Sequence, residues 1–208
     1  MPSGNVRRAG LIGFALSAAL FVGIGALAVS RIIDLGAANA AVEHTLLVRT
    51  EAGTLLSLLK DAETGQRGFV ITGKQEYIEP YNAAILELPK HVANFRRLTA
   101  DNTRQQQNID MFERLAERRI TILRDGVAAR SEHGFESAAQ VVSNGEGKRV
   151  MDSARDVIAQ ILQEEDRLWQ ERGLAQRERA NAVATASIGS LVLAFVLLVI
   201  ATFFVARR

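Results

Sequence analysis

Residues 61–84 read DAETGQRGFVITGKQEYIEPYNAA, and this stretch holds the end of one helix and the start of the next. Its apolar side chains recur three and four residues apart, which is typical of a helix. Gly73 then predicts a stop, because glycine readily takes the left-handed conformation after a last helical turn. Pro80 is tolerated only near a first turn, so a second helix is predicted to begin between Lys74 and Glu79.

The last turns of the first helix carry polar side chains and two glycines. Glu63 and Arg67 are four residues apart and can pair on one helical face. Gly65 and Gly68 are three apart and leave a notch, although each costs roughly 1 kcal/mol relative to alanine in a helix interior. Two interpretations remain open. Either the glycines admit a neighbouring helix and the polar groups bond the bundle together, or the polar groups line a pocket between helices.

In the pocket interpretation, the guanidinium group of Arg67 recognises an anion, while Gln66 and Thr64 are adjustable hydrogen-bond donors. The candidate ligand-binding or signalling cluster is Asp61, Glu63, Thr64, Gln66, Arg67, Tyr77 and Tyr81. The glycines assigned a structural role are Gly65, Gly68, Gly73, Gly145 and Gly147.

Helical periodicity continues on both sides of this stretch. Asn102 offers cap chemistry for a third helix, Gly134 begins a short helical piece, and a last helix is predicted from Lys148 onward. In the polar run 163–167, QEEDR, the side chains are predicted to be solvated or paired with one another. The residues predicted to face the core include Val42, Leu46, Leu55, Leu56, Leu59 and Ala62, then Tyr77, Tyr81, Ala84, Ile85, Leu88, Val92, Phe95 and Leu98, then Ile109, Phe112, Ala116, Ile120, Leu123 and Val127, and finally Val150, Ala154, Val157, Ile161, Leu168 and Trp169. The fold class is therefore all-α, an up-and-down bundle of the four-helix type.

Two uncharged segments flank this bundle, at residues 9–30 and 180–206. Each is long enough to cross a bilayer, which takes roughly 20 apolar residues. A cleaved signal peptide is the alternative for the first segment, but its apolar run is longer than a signal core. The expected organisation is a cytoplasmic N-terminus at 1–8, a first span at 9–30, a sensory domain at 31–179, a second span at 180–206, and the start of a cytoplasmic region at 207–208.

Charge sets the orientation and excludes one class of partner. Arginines at 7, 8, 207 and 208 place both termini in the cytoplasm of a bacterium and residues 31–179 in the periplasm or outside the cell. Apart from those four arginines, the chain contains 21 basic and 23 acidic residues. The high isoelectric point therefore does not indicate nucleic-acid binding. The absence of cysteine excludes disulfides and thiolate metal sites.

The stretch at 61–84 resembles the signature of the third class of CHASE extracellular sensory domains, which are found on bacterial receptor histidine kinases. Three further segments, at 42–45, 98–102 and 145–152, resemble other parts of the family pattern. The resemblance therefore covers essentially all of residues 34–178. It implies a helical bundle between two membrane spans that serves as the input module of a receptor. It implies no particular ligand, and the signal could be a small molecule or a protein.

No catalytic function is expected within the chain itself. His44, His91 and His133 are not followed by the acidic residue of a phosphoacceptor site, and no phosphate-binding loop is present. We expect no metal and no cofactor. The favoured hypothesis is therefore the sensor of a two-component histidine kinase, signalling through the second span to a cytoplasmic output domain. The alternative is a membrane helical hairpin that scaffolds other chains without sensing.

A homodimer is also expected, since the resemblance is to receptors that act as dimers. Small residues in the first span allow two helices to pack closely in lipid. They are Gly13, Ala15, Ala18, Ala19, Gly23 and Gly25.

Overall fold

The computed structural model describes residues 3–206, and their backbone is helical almost throughout. The helices are α1, Ser3–Thr72; α2, Glu79–Leu98; α3, Thr103–His133; α4, Phe135–Ser143; and α5, Glu146–Ala206. A single 3-10 turn, Gln75–Ile78, precedes α2. The all-α prediction is confirmed.

The breaks between helices follow the local chemistry of the sequence. Gly73 adopts the left-handed conformation predicted for it, with φ of +70°. Gly134 and Gly145 also have positive φ, of +85° and +76°, where α3 and α4 end. At the start of α3, Asn102 Oδ1 accepts a hydrogen bond from the Gln105 amide at 3.1 Å, which satisfies one of the free amides of the first turn.

Two compact units make up the chain. One is Val42–Trp169, and the other combines Met1–Ala41 with Gln170–Arg208. In the first unit, contacts between distant residues show that neighbouring helices run antiparallel. His91 of α2 hydrogen-bonds Glu51 of α1, Arg96 of α2 pairs with Asp110 of α3, and Gln105 of α3 donates to the Ile161 carbonyl of α5. The unit is therefore an up-and-down bundle.

Its core forms two clusters along the bundle. The larger one takes side chains from four helices: Val48, Ala52, Leu55 and Leu59 of α1, Leu88, Val92 and Phe95 of α2, Ile109, Phe112 and Ala116 of α3, and Met151, Ala154, Val157, Ile158 and Ile161 of α5. The smaller one contains Ala62, Phe69, Ile78, Tyr81, Ala84 and Leu123. Phe95 and Phe112 are fully buried, and removing a ring of this kind to alanine costs about 3–5 kcal/mol.

Three residues predicted to face the core are exposed instead. Leu46 is exposed on the outer face of α1, whereas Thr45 and Val48 in the same turn are buried. Tyr77 is exposed and Ile78 buried, because the 3-10 turn has three residues per turn and shifts the helical phase. Trp169 is also exposed, since it is the last residue of the bundle unit and no core continues beyond it.

By length and composition, one helix among the described residues can cross a bilayer: an 18-residue window within Phe21–Thr72 has a mean hydropathy of 1.6 and is not buried. A signal sequence meets the same criterion. In α5 the described residues give a shorter apolar stretch, Asn181–Val192.

The arginines that set the predicted orientation, at 7, 8, 207 and 208, lie outside the residues whose side chains the structure describes.

Candidate functional site

The predicted cluster lies where α1 meets the start of α2, and its two glycines are in close contact with that segment. A Cβ added at Gly65 would lie 2.7 Å from the Tyr81 amide nitrogen and 3.2 Å from the Tyr77 carbonyl oxygen. One added at Gly68 would lie 3.1 Å from the Tyr77 side chain. The absent side chains therefore allow the 3-10 turn and α2 to approach α1 closely.

The predicted pair of Glu63 and Arg67 is present, and it has a third member that sequence reasoning missed. Arg67 Nη2 lies 2.8 Å from Glu63 Oε1, while Nη2 of Arg119 in α3 lies 3.1 Å from Glu63 Oε2. The two arginines differ in environment, because the side chain of Arg67 is 56% exposed and that of Arg119 only 6%. One carboxylate thus bridges a surface cation and a buried cation.

Arg119 is the more unusual of the two. Its Nε is buried and has no hydrogen-bond partner among the described residues. Its Nη1 lies so close to Gly147, at the start of α5, that any side chain there would overlap it. A buried charge whose hydrogen-bonding capacity is only partly used is costly, so this guanidinium is a candidate for binding something from outside the chain.

Gln66 is buried beside it. Its amide nitrogen occupies the space that a side chain at Gly126 of α3 would need. Glycine at 126 therefore makes room for a polar side chain in the interior of the bundle.

These groups surround a small cavity of about 40 Å³ between four helices. The polar lining comes from Gln66, Arg67, Arg119 and Lys148, and Gly147 belongs to the same wall. The remainder of the lining is apolar, from Ile122, Leu123, Val141 and Val142. The cavity is therefore rich in cationic groups.

Four predicted members lie elsewhere. Asp61 and Thr64 are exposed on α1 and do not line the cavity. Tyr77 is exposed, whereas Tyr81 is buried in the smaller core cluster. Burial raises the pKa of Tyr81, and the positive charge of Arg124, which hydrogen-bonds the phenol, opposes part of that rise. Tyr81 is thus a packed phenol that keeps its proton at neutral pH.

A second polar cluster lies at the other end of the bundle, where Glu164 and Arg167 of the run 163–167 pair with each other as predicted. Glu164 and Glu165 are buried rather than solvated. Arg167, Arg104 and Asn102 hydrogen-bond Glu164 and lower its pKa to about 2. Glu164, Arg104 and Arg167 border an open polar groove of about 440 Å³. Glu165 accepts from Gln105 Nε2 at 2.9 Å.

The histidines take part in bonds within the bundle. His44 Nε2 lies 2.8 Å from the Leu98 carbonyl oxygen, and His91 Nδ1 lies 2.6 Å from Glu51 Oε1. The exposed His133 lies 3.7 Å from its neighbour Glu132. Within the described part of the chain, no three histidine or acidic residues are grouped as a metal site requires.

Comparison with known proteins gives the family. Residues 38–173 match the family model of the CHASE3 domain, which covers more than half of the chain. The chain belongs to the CHASE3 domain family, as its sequence predicted, and carries a sensory domain of that kind.

A solved structure has a similar fold. It is the sensor domain of the histidine kinase HK9 from Rhodopseudomonas palustris, which is 22% identical, with a TM-score of 0.56. The match covers 60% of this chain and 97% of that one. No curated protein matches the sequence.

Proposed function

We propose that this chain is the membrane-anchored, extracytoplasmic input module of a bacterial signal-transduction receptor. The expected receptor is a two-component sensor histidine kinase, with its catalytic domains in a cytoplasmic region or a partner chain. Membership of the CHASE3 family supports the sensory role.

The proposed topology has spans at 9–30 and 180–206, both termini in the cytoplasm, and residues 31–179 in the periplasm or outside the cell. Large apolar side chains in both segments support it, because they are exposed in the single chain. Phe21 is 83% exposed and Phe195 is 66% exposed. Aromatic side chains so exposed in water would be unfavourable, whereas lipid accommodates them.

The observation that carries the signalling proposal is the continuity of α5. Gly147 and Lys148, in its first turn, line the cavity, and the same helix continues without a break to Ala206. A ligand or partner that changes the position of the first turn would therefore move a helix that leads into the second span. Helix movements of about 1–2 Å are the usual scale of such switches.

A homodimer is part of the proposal. In the first span a Cβ added at Gly23 or Gly25 would meet no described atom within 4 Å in the single chain. These positions are therefore accessible to a second copy of the helix.

The test joins residues 1–208 to the cytoplasmic kinase of a characterised receptor and measures autophosphorylation in membranes. Insertions of one to four alanines after Ala206 should change kinase output in a helical pattern if α5 transmits position. Arg119→Gln, at the cavity, should change output as well. The matched control Arg114→Gln removes an exposed arginine of the same helix and should not.

Kinase output that is the same for every insertion and for both arginine variants, at equal protein levels, would contradict the sensory proposal. That result would favour a scaffold that holds other chains in the membrane.

A further inference from the structure

The cavity at the start of α5 is the one place among the described residues where a buried cation, a helix N-terminus and open space coincide. Only 6% of the Arg119 side chain is exposed, and its Nε has no hydrogen-bond partner among the residues that the structure describes. The cavity it lines has a volume of about 40 Å³. We infer that this cavity binds a small monovalent anion, of the size of chloride, nitrate or formate.

Helix α5 contributes to the same site from its N-terminus. The first amides of a helix have no intrahelical acceptor and carry a partial positive charge. Asn144 Oδ1 accepts from the Glu146 amide, and the Gly145 carbonyl accepts from the Arg149 amide. The amides between them belong to Gly147 and Lys148, the two residues of this turn that line the cavity. Backbone amides of this kind are suited to an anion.

The charge balance around the cavity favours one negative charge. Its lining includes three cations, namely Arg67, Arg119 and Lys148. Glu63 is shared between the two arginines, and Lys148 pairs with Asp152 at 2.5 Å. Three positive charges against two negative ones leave a net charge of +1.

The nearby Glu146 does not alter this balance, because it forms an ion pair with the exposed Arg118. A monoanion would neutralise the net charge of the site, whereas a dianion would leave the site with a net negative charge.

The volume limits the size of the ligand. One water occupies roughly 10–15 Å³ of such space, so 40 Å³ holds about three water-sized groups. Nitrate and formate fit this volume, and chloride fits with a water beside it. Sugars, amino acids and aromatic acids are too large. The favourable free energy of anion binding comes from the Arg119 guanidinium, because a charge-assisted hydrogen bond to a buried cation is stronger than a neutral hydrogen bond.

The binding test uses the full chain in detergent micelles. Sodium gluconate, an anion too large for the cavity, sets the ionic strength and is replaced stepwise by sodium chloride, nitrate or formate. Unfolding is followed by circular dichroism and binding by isothermal titration calorimetry. A ligand that binds only the folded state at ten times its Kd should raise Tm by about 3–6 °C for a chain of this size.

Two variants and a control locate the site. Arg119→Gln should abolish the saturable rise in Tm. Lys148→Gln, at an exposed position, should keep the fold and weaken the affinity severalfold. Arg114→Gln removes an exposed arginine of the same helix and should retain the full response.

Equal responses in all three variants, or a response to gluconate as large as that to nitrate, would overturn the inference. So would calorimetry that shows no binding to the wild-type chain, which is the result expected if the cavity holds only water.

The role of the anion as a stimulus rests on the proposed function, whereas binding does not. Anion binding to a fusion protein whose kinase responds neither to the anion nor to insertions in α5 would retain the site and reject the sensory role. A fusion whose kinase responds to insertions in α5 but not to any anion would retain the sensory role and reject the anion as its stimulus.

Discussion

Arg119 Nη2 lies 3.1 Å from Oε2 of Glu63, and this ion pair joins α3 to α1 at the wall of the cavity. The same carboxylate also pairs with Arg67 on its exposed side. The chain thus offers a comparison of a buried and a surface ion pair that share one acid.

Replacing Glu63 by Gln should lower the free energy of unfolding by about 3 kcal/mol, because it leaves a buried guanidinium without its carboxylate. Replacing Arg67 by Gln should lower it by less than about 0.5 kcal/mol, because that pair is exposed to solvent. Urea unfolding of the full chain in detergent measures both values. Equal losses in the two variants would show that burial of Arg119 does not matter.

Two glycines of α1 should respond in opposite ways to alanine. Gly65→Ala places a methyl group 2.7 Å from the backbone of Tyr81, which cannot yield as a flexible side chain could. The free energy of unfolding should fall by about 1–3 kcal/mol. At Gly53 in the same helix an added Cβ would meet no described atom within 4 Å, so Gly53→Ala should raise the free energy of unfolding by about 0.5–1 kcal/mol. Thermal denaturation of the two variants checks the prediction, and stabilisation by both would contradict the tight contact.

Acid should destabilise the bundle partly through Glu164. Its pKa is lowered from 4.5 to about 2 by Arg167, Arg104 and Asn102. The group is therefore ionised over a wider pH range when folded than when unfolded. Its contribution is complete above about pH 5 and is lost as the pH falls from there to about 2. The full contribution is on the order of 3 kcal/mol.

Glu164→Gln should therefore flatten the dependence of unfolding free energy on pH between 5 and 2. Asp166→Asn removes a neighbouring carboxylate that is 61% exposed, and it should leave most of that slope in place. Equal flattening in both variants would assign the effect to general charge repulsion.

The proposed topology predicts which cysteines a membrane-impermeant maleimide reaches in intact spheroplasts. Residues 1–208 contain no cysteine, so single substitutions in this segment need no altered background. Ser57→Cys, on an exposed face of α1, should be labelled at once. Ser3→Cys should be labelled only after lysis. The opposite pattern would invert the orientation, and labelling of both would exclude an uncleaved first span.

A dimer through the first span predicts a periodic pattern of crosslinks. Single cysteines at positions 13–25 should form disulfide-linked dimers most readily every three to four residues. A uniform profile would remove this face as the contact between protomers.

The helices and their breaks could be predicted because their causes are local. Gly73 and Asn102 act within a few residues of themselves, and the apolar spacing fixes each inward face. The exceptions arose where the local period changed, as at Tyr77 in the 3-10 turn, or where the bundle ended, as at Trp169.

The cavity could be predicted only in part, because half of its polar wall depends on distant residues. Gln66 and Arg67 belong to the polar stretch that the sequence singled out. Arg119 is one arginine among several in a charged helix, and its burial depends on Glu63 in α1 and Gly147 in α5. Glu164 was assigned to a solvated face for the same reason, since Arg104 lies 60 residues away along the chain.

Arg118 and Arg119 are consecutive in sequence, yet one is paired at the surface and the other is in the interior. One step along a helix is a rotation of about 100°, so an alignment of related chains that slips by a single position would exchange them unnoticed. Whether a relative keeps the buried cation is therefore a question of helical phase. It can be answered by first matching the core positions Phe112 and Ala116 and then counting three residues onward from the second of them.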